Sequence, residues 1–139
     1  MHRTSSLSKP IIFVEDDADC REIIELAVTL EGYSVSLARD HHEALDLLAE
    51  TQPGIVFVDY YGVSSNQRLF IDQIRQLHPG VPIVLMTGAR NPEEKIRELG
   101  IKEYLLKPFQ IDDLVRVLSR HRIQPVQARA SRRMQFSLF

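Results

Sequence analysis

The chain has 139 residues, 44% of them hydrophobic and 26% charged, which is typical of one soluble globular domain with a single core. Its single cysteine, Cys20, excludes an internal disulfide and suits a reducing cytosol. The sequence has no apolar stretch near the roughly 18–20 residues that cross a bilayer, and its polar start is unlike a signal peptide. We therefore expect a cytoplasmic protein without a membrane partner.

Charge is unevenly distributed along the chain. Residues 120–139 contain five arginines and no acidic residue, whereas the net charge of the whole chain is -2, so residues 1–119 carry -7. An acidic body disfavours direct contact with nucleic acid.

Apolar runs with β-branched and aromatic residues predict five buried strands, at residues 11–14, 34–38, 55–58, 81–86 and 104–106. Helical spacing of apolar residues follows each run, at residues 18–31, 40–48, 69–77, 91–100 and 111–118. Helix boundaries are marked by Gly32, by a capping box of Asp40 and Glu43, by Pro92 and by Gly100. Strict alternation of strands and helices predicts an α/β fold with a parallel sheet covered on both faces.

We assign residues 9–121 to this domain and residues 1–8 to a flexible N-terminal segment. Residues 122–139 lack periodicity and are interpreted as a basic, flexible tail. Eighteen residues are too few for a separate DNA-binding domain. An alternative for the tail is docking on a partner or on a second copy of the domain as a homodimer.

Polar side chains stand at the end of four predicted strands. Glu15 and Asp16 end the first, Asp59 the third, Thr87 the fourth and Lys107 the fifth. Singly, each has a plain explanation, since an acidic pair before a helix is more often a cap than a metal site. Their common placement favours a functional site over these plain explanations, because the carboxyl ends of parallel strands share one edge, where open α/β sheets bind ligands.

The clustered residues suit phosphoryl chemistry. Two carboxylates about 4 Å apart repel by roughly 4 kcal/mol at an effective dielectric near 20, so Glu15, Asp16 and Asp59 require a cation. Hard oxygen ligands favour Mg²⁺ over zinc. The central Asp59 is the best nucleophile for an aspartyl phosphate, with Thr87 and Lys107 placed to bind phosphoryl oxygens. The adjacent histidines 41 and 42, which open a helix, are interpreted as surface residues.

The motifs at 14–17, 58–59, 85–88 and 104–109 resemble those of the receiver domains of bacterial two-component response regulators, the CheY-like superfamily. The resemblance spans about residues 9–121. It implies a flavodoxin-like, doubly wound sheet of order 2-1-3-4-5 with five helices. It also implies a signalling phosphoacceptor rather than an enzyme, and a downstream protein that reads its state.

The resemblance assigns further roles. Asp59 would take a phosphoryl group from the histidine of a sensor histidine kinase or histidine phosphotransfer protein. Mg²⁺ would be held by Asp16 and Asp59, by Glu15 through water, and by the carbonyl of Tyr61.

On the opposite side, Thr87 and Lys107 would bind the phosphoryl oxygens. Tyr104 matches the aromatic switch position, for which a half-buried strand aromatic is an equal alternative.

Two departures from the family pattern stand out. Residues 60–67 lack the usual proline, and Gln67 replaces a glycine, which puts the Tyr61 carbonyl in question. The helix between Thr87 and Lys107 is about a turn short, as in receivers attached to hybrid histidine kinases. These departures keep open a degenerate receiver that acts as an interaction module. An aspartyl-phosphate phosphatase would need an acid where Tyr61 stands, and a flavin carrier would need a phosphate loop after the first strand.

Overall fold

Five strands form one parallel sheet. The computed structural model describes residues 9–60, residues 65–128 (backbone alone at 65) and the backbone of residues 137–138. The strands are β1 (Ile11–Val14), β2 (Val35–Ala38), β3 (Ile55–Asp59), β4 (Ile83–Thr87) and β5 (Glu103–Leu106). Neighbouring strands follow the order β2-β1-β3-β4-β5, which confirms the predicted doubly wound fold.

Five helices connect and cover these strands. They are α1 (Ala18–Leu30), α2 (His41–Glu50), α3 (Ser65–Leu77), α4 (Pro92–Leu99) and α5 (Ile111–Arg120). Asp40 caps α2 by accepting the Glu43 N–H at 2.8 Å, but the Glu43 carboxylate accepts the N–H of Arg39, so the predicted capping box is only half formed. As predicted, α4 begins with Pro92 and ends at Gly100, whose φ is 69°. No helix in the described ranges is long and apolar enough to cross a membrane.

The sheet is buried on both faces because its side chains alternate between two apolar clusters. On one face, Phe13 and Phe57 stack with ring centroids 4.6 Å apart, between the sheet and helices α1 and α5. On the other face, Val14 and Val58 pack with residues of α2, α3 and α4. Because both faces are covered by apolar residues, the polar side chains lie at the carboxyl edge of the sheet.

Helix α3 was predicted from the spacing of Leu69, Phe70, Ile74 and Leu77. The helix is present, but Leu69 is 57% exposed and Leu77 is 45% exposed. The buried stripe instead consists of Phe70, Ile71 and Ile74. The predicted helix is therefore confirmed, although Leu69 and Leu77 lie on its exposed side.

The chain after α5 folds back on the domain. Ile123 is buried, and the N–H groups of Val126 and Gln127 donate to the carbonyl of Gly32 at 2.7 and 3.1 Å. Strand β6 (Phe109–Gln110) pairs antiparallel with β7 (Ser137–Leu138). The packed chain thus extends beyond residue 121, and the flexibility of the tail stays a prediction. Residues 1–8 and 129–136 lie outside the described residues.

Candidate phosphoryl-transfer site

Strand register brings the predicted residues to one edge. Val14 of β1 lies opposite Val58 of β3, so the residues that follow them, Glu15 and Asp59, lie at the same level of the sheet edge. On the other side, the Lys107 N–H donates to the Thr87 carbonyl at 2.7 Å. Parallel pairing thus converts separate positions in sequence into one group.

Three carboxylates form the acidic half of the site. Oxygens of Glu15, Asp16 and Asp59 lie within 4.8 Å of one another. Glu15 is 1% exposed and Asp59 is 7% exposed, whereas Asp16 is open to solvent. The cluster is therefore buried at Glu15 and Asp59 and open to solvent at Asp16.

The ammonium of Lys107 lies against the two buried acids. Its Nζ is 2.5 Å from Asp59 Oδ1 and 3.3 Å from Glu15 Oε1. Burial opposes the charged amine, but the hydrogen bond and charge of Asp59, together with Glu15, outweigh it and raise the pKa of Lys107. The lysine is therefore a permanent cation at the wall of the pocket.

One cation does not neutralise this cluster. Burial, with the neighbouring charge of Asp59, raises the pKa of Glu15 to about 7. The Lys107 charge and a hydrogen bond from the Asp17 N–H at 3.2 Å act in the opposite direction and are outweighed. Excess negative charge remains where hard oxygen ligands converge.

Thr87 ends β4 and is 1% exposed. Its hydroxyl oxygen accepts the Ala89 N–H at 2.9 Å, which leaves the hydroxyl hydrogen for another acceptor. In the β3–β4 register Asp59 lies opposite Met86, the residue before Thr87. The hydroxyl therefore stands on the strand next to the central carboxylate.

Tyr104, on β5, is half-buried against the apolar cluster of the α3–α4 face. Its hydroxyl donates to Glu93 Oε2 at 2.8 Å, in the first turn of α4. The ring is thus tied to α4 in this state. The other predicted residue, Tyr61, lies outside the described residues.

Gln67 has a role that the sequence did not predict. Its side chain is 1% exposed, and its Nε2 donates to the carbonyl oxygen of Asp59 at 2.8 Å. The one available signal was its place where the family pattern has glycine.

The interpretation of both histidines as surface residues was half wrong. The side chain of His42 is 89% exposed. The ring of His41, however, stacks on Phe70 of α3, with centroids 3.9 Å apart and an interplanar angle of 7°. Burial lowers the pKa of His41, so the neutral imidazole packs between α2 and α3.

With this fold and edge in place, comparison with known proteins identifies the class. A family model described as the response regulator receiver domain matches residues 11–119. The chain belongs to the response regulator receiver domain family.

Curated relatives agree with this assignment. Response regulator MprA of Mycobacterium bovis is 33% identical over 136 residues, covering 94% of this chain and 59% of the relative. Response regulator MprA of Mycolicibacterium vanbaalenii is 34% identical over 107 residues, covering 76% and 46%. The chain therefore spans less than two thirds of the length of these relatives.

Solved structures show the same architecture. The chemotaxis protein CheY4 of Vibrio cholerae has a TM-score of 0.72 at 24% identity, over 81% of this chain and 98% of that one, and supports the fold. The receiver domain of the sensor histidine kinase PA1611 from Pseudomonas aeruginosa has a TM-score of 0.70 at 26% identity, over 81% and 96%. That structure has a magnesium ion coordinated in its active-site cleft.

Proposed function

We propose that this chain is a phosphoacceptor receiver in which Asp59 takes a phosphoryl group from the histidine of a sensor histidine kinase or histidine phosphotransfer protein. The observation that carries the proposal is the 2.5 Å contact between Asp59 and Lys107 inside a cluster of carboxylates. A nucleophilic carboxylate beside one fixed cation and an excess of acid is suited to phosphoryl transfer.

In the transfer step, one Asp59 carboxylate oxygen forms a bond to phosphorus. The bond from phosphorus to the donor's imidazole nitrogen breaks, and its electron pair stays on the imidazole. Lys107 gives up part of its pairing with Asp59 to hold a phosphoryl oxygen, and the Thr87 hydroxyl donates to another. These residues position the group and neutralise its charge, which is most of what such a transfer requires.

The acidic cluster fits a magnesium ion. The cluster holds three carboxylates, of which the Lys107 ammonium contacts two, and the raised pKa of Glu15 reflects the negative charge that remains. Asp16, Asp59 and Glu15, the last through water, would hold the ion, with room for water at the exposed Asp16. When bound, Mg²⁺ neutralises negative charge on the phosphoryl oxygens. The carbonyl of Tyr61 remains the further ligand implied by the family resemblance.

The switch we propose begins at Thr87. As its hydroxyl turns toward the phosphoryl group, the hydrogen bond from the Ala89 N–H is lost. The space that Thr87 leaves admits the ring of Tyr104, which releases Glu93 and alters the surface formed by α4 and β5. A downstream protein reads that surface.

The alternative of a degenerate receiver is less well supported. The described residues retain three carboxylates, the threonine and the lysine, and the lysine already contacts the proposed phosphoacceptor. A pure interaction module has no need of a buried charge cluster, which costs stability.

The proposal is tested by intact-mass analysis after incubation with acetyl phosphate and Mg²⁺. We expect one added phosphoryl group on the native chain and none on Asp59→Asn. Asp46→Asn, a matched change at an exposed site on α2, should be modified like the native chain. Modification of Asp59→Asn at the native rate would contradict the assignment.

A further inference from the structure

Gln67 is a buried polar side chain at the third position of α3. Glutamine is mostly exposed in folded proteins, so full burial of this amide calls for a partner. The partner is the carbonyl oxygen of Asp59, 2.8 Å from Nε2, at the last residue of β3.

The peptide unit between Asp59 and Tyr60 is held from both sides. Its carbonyl accepts the Gln67 amide, and its N–H donates to the Met86 carbonyl of β4 at 2.9 Å. Because a peptide unit is planar, these two hydrogen bonds fix its orientation. Rotation about the backbone of Asp59 would break at least one of them.

We propose that Gln67 is a positioning residue for phosphoryl transfer, which fixes the backbone of Asp59 and so aims its carboxylate at the Lys107 side of the pocket. The inference rests on the proposed function. Transfer requires a carboxylate oxygen in line with phosphorus, and small misplacements of a reacting group slow a reaction strongly.

The orientation of the amide supports a role as donor. The Asp59 carbonyl can only accept, so Nε2 must face it. Oε1 is then buried and has no hydrogen-bond partner among the described residues. An unpartnered acceptor reduces stability; an apolar side chain of the same length would remove that cost but leave the Asp59 carbonyl unpaired, so the two effects on stability offset each other. The amide is therefore explained by its hydrogen bond rather than by filling space.

The test replaces Gln67 with methionine, which keeps the length of the side chain and removes the donor. Gln76→Met is the matched control, on the exposed face of the same helix. The measurements are the maximal rate of phosphorylation by acetyl phosphate with Mg²⁺, the half-saturating donor concentration and the urea midpoint. For Gln67→Met we expect a maximal rate about tenfold lower, with the other two values unchanged. Gln76→Met should match the native chain throughout.

An unchanged maximal rate in Gln67→Met would overturn the proposal. If Gln67→Met folds poorly, a second measurement uses the native chain. It is the scalar coupling by NMR across the hydrogen bond from Gln67 Nε2 to the Asp59 carbonyl. We expect this coupling, and its absence would also overturn the proposed positioning role of Gln67. A native chain that is not phosphorylated at Asp59 but shows the coupling would instead refute the proposed function, so the two failures are distinguishable.

Discussion

The Lys107 ammonium bridges two buried carboxylates that follow different strands, lying 2.5 Å from Asp59 Oδ1 and 3.3 Å from Glu15 Oε1. The bridge joins the end of β5 to the ends of β3 and β1 across the sheet edge. It makes Lys107 both a stabiliser of the acidic cluster and a competitor of any cation that enters it.

Replacing Lys107 with alanine should therefore move two measurements in opposite directions. Loss of the ammonium removes charge stabilisation from the phosphoryl group, so phosphorylation by acetyl phosphate should slow by about 10²-fold. Mg²⁺ should bind roughly fivefold more tightly, because an attraction of about 1 kcal/mol between the amine and the acids no longer competes. Titration calorimetry and intact-mass kinetics measure these effects. Lys102→Ala, at an exposed site, should change neither.

The hydrogen bond from Tyr104 to Glu93 holds the ring toward α4. In Glu93→Ala this tie is absent, so the population of the inward ring should rise and phosphorylation by acetyl phosphate should accelerate a few-fold. NMR signals of the Tyr104 ring would report the change. Glu94→Ala, the neighbouring acid in the first turn, is the control. If the Tyr104 ring keeps its native position in Glu93→Ala, the hydrogen bond to Glu93 is not what holds it toward α4.

Gly32 and Gly80 form a matched pair with φ of 91° and 85°. Alanine at either position should cost about 1 kcal/mol of backbone strain. At Gly32 the new Cβ would also lie 2.2 Å from the Gln127 carbonyl oxygen, whereas at Gly80 nothing lies within 4 Å. We expect Gly32→Ala to lose roughly 2 kcal/mol more of unfolding free energy than Gly80→Ala in urea titrations. Equal losses would mean that the segment of residues 123–127 is not docked there.

Glu103 links β5 to the end of α5 through Arg120 and through His121 Nε2 at 2.6 Å. Burial alone would raise its pKa, but hydrogen bonds from His121 and Arg120 lower it below the usual 4.5. A carboxyl group whose pKa is lower in the folded than in the unfolded state stabilises the fold at pH values above its unfolded-state pKa. That stabilisation is lost as the pH falls through the folded-state pKa. Glu103→Gln should thus lower the unfolding free energy by about 1 kcal/mol at neutral pH. The difference from the native chain should shrink as the pH falls below 4.5.

The control for Glu103→Gln is Glu98→Gln, which removes the ion pair between an exposed carboxylate and Lys95, 3.8 Å apart. Exposed pairs contribute little, so its effect should be under about 0.5 kcal/mol. A Glu103→Gln difference that persists undiminished in acid would show that the carboxylate charge is not responsible.

Much of the fold followed from patterns that are local in sequence. Apolar runs located the strands, and Asp40, Pro92 and Gly100 marked helix ends that the structure confirms. The site residues were found because each ends a strand, and parallel pairing gathers strand ends whatever their separation. The strand order came from the resemblance to receiver domains.

Other features depend on contacts that no local pattern carries. The spacing of Leu69 and Leu77 fits a helix, yet α3 turns both to solvent. His41 packs on Phe70, almost thirty positions away, and Gln67 is buried because of a carbonyl on another element. In each case a partner brought near by folding overrides the usual preference of the residue.

The proposed function depends on Asp59 itself forming the acyl phosphate. Borohydride reduces an acyl phosphate of aspartate to homoserine, which peptide mass spectrometry can place in the sequence. After treatment with acetyl phosphate and Mg²⁺, we predict homoserine at position 59 and native aspartate at position 16. Homoserine at another acidic residue, with position 59 unchanged, would show that Asp59 is not the phosphoacceptor.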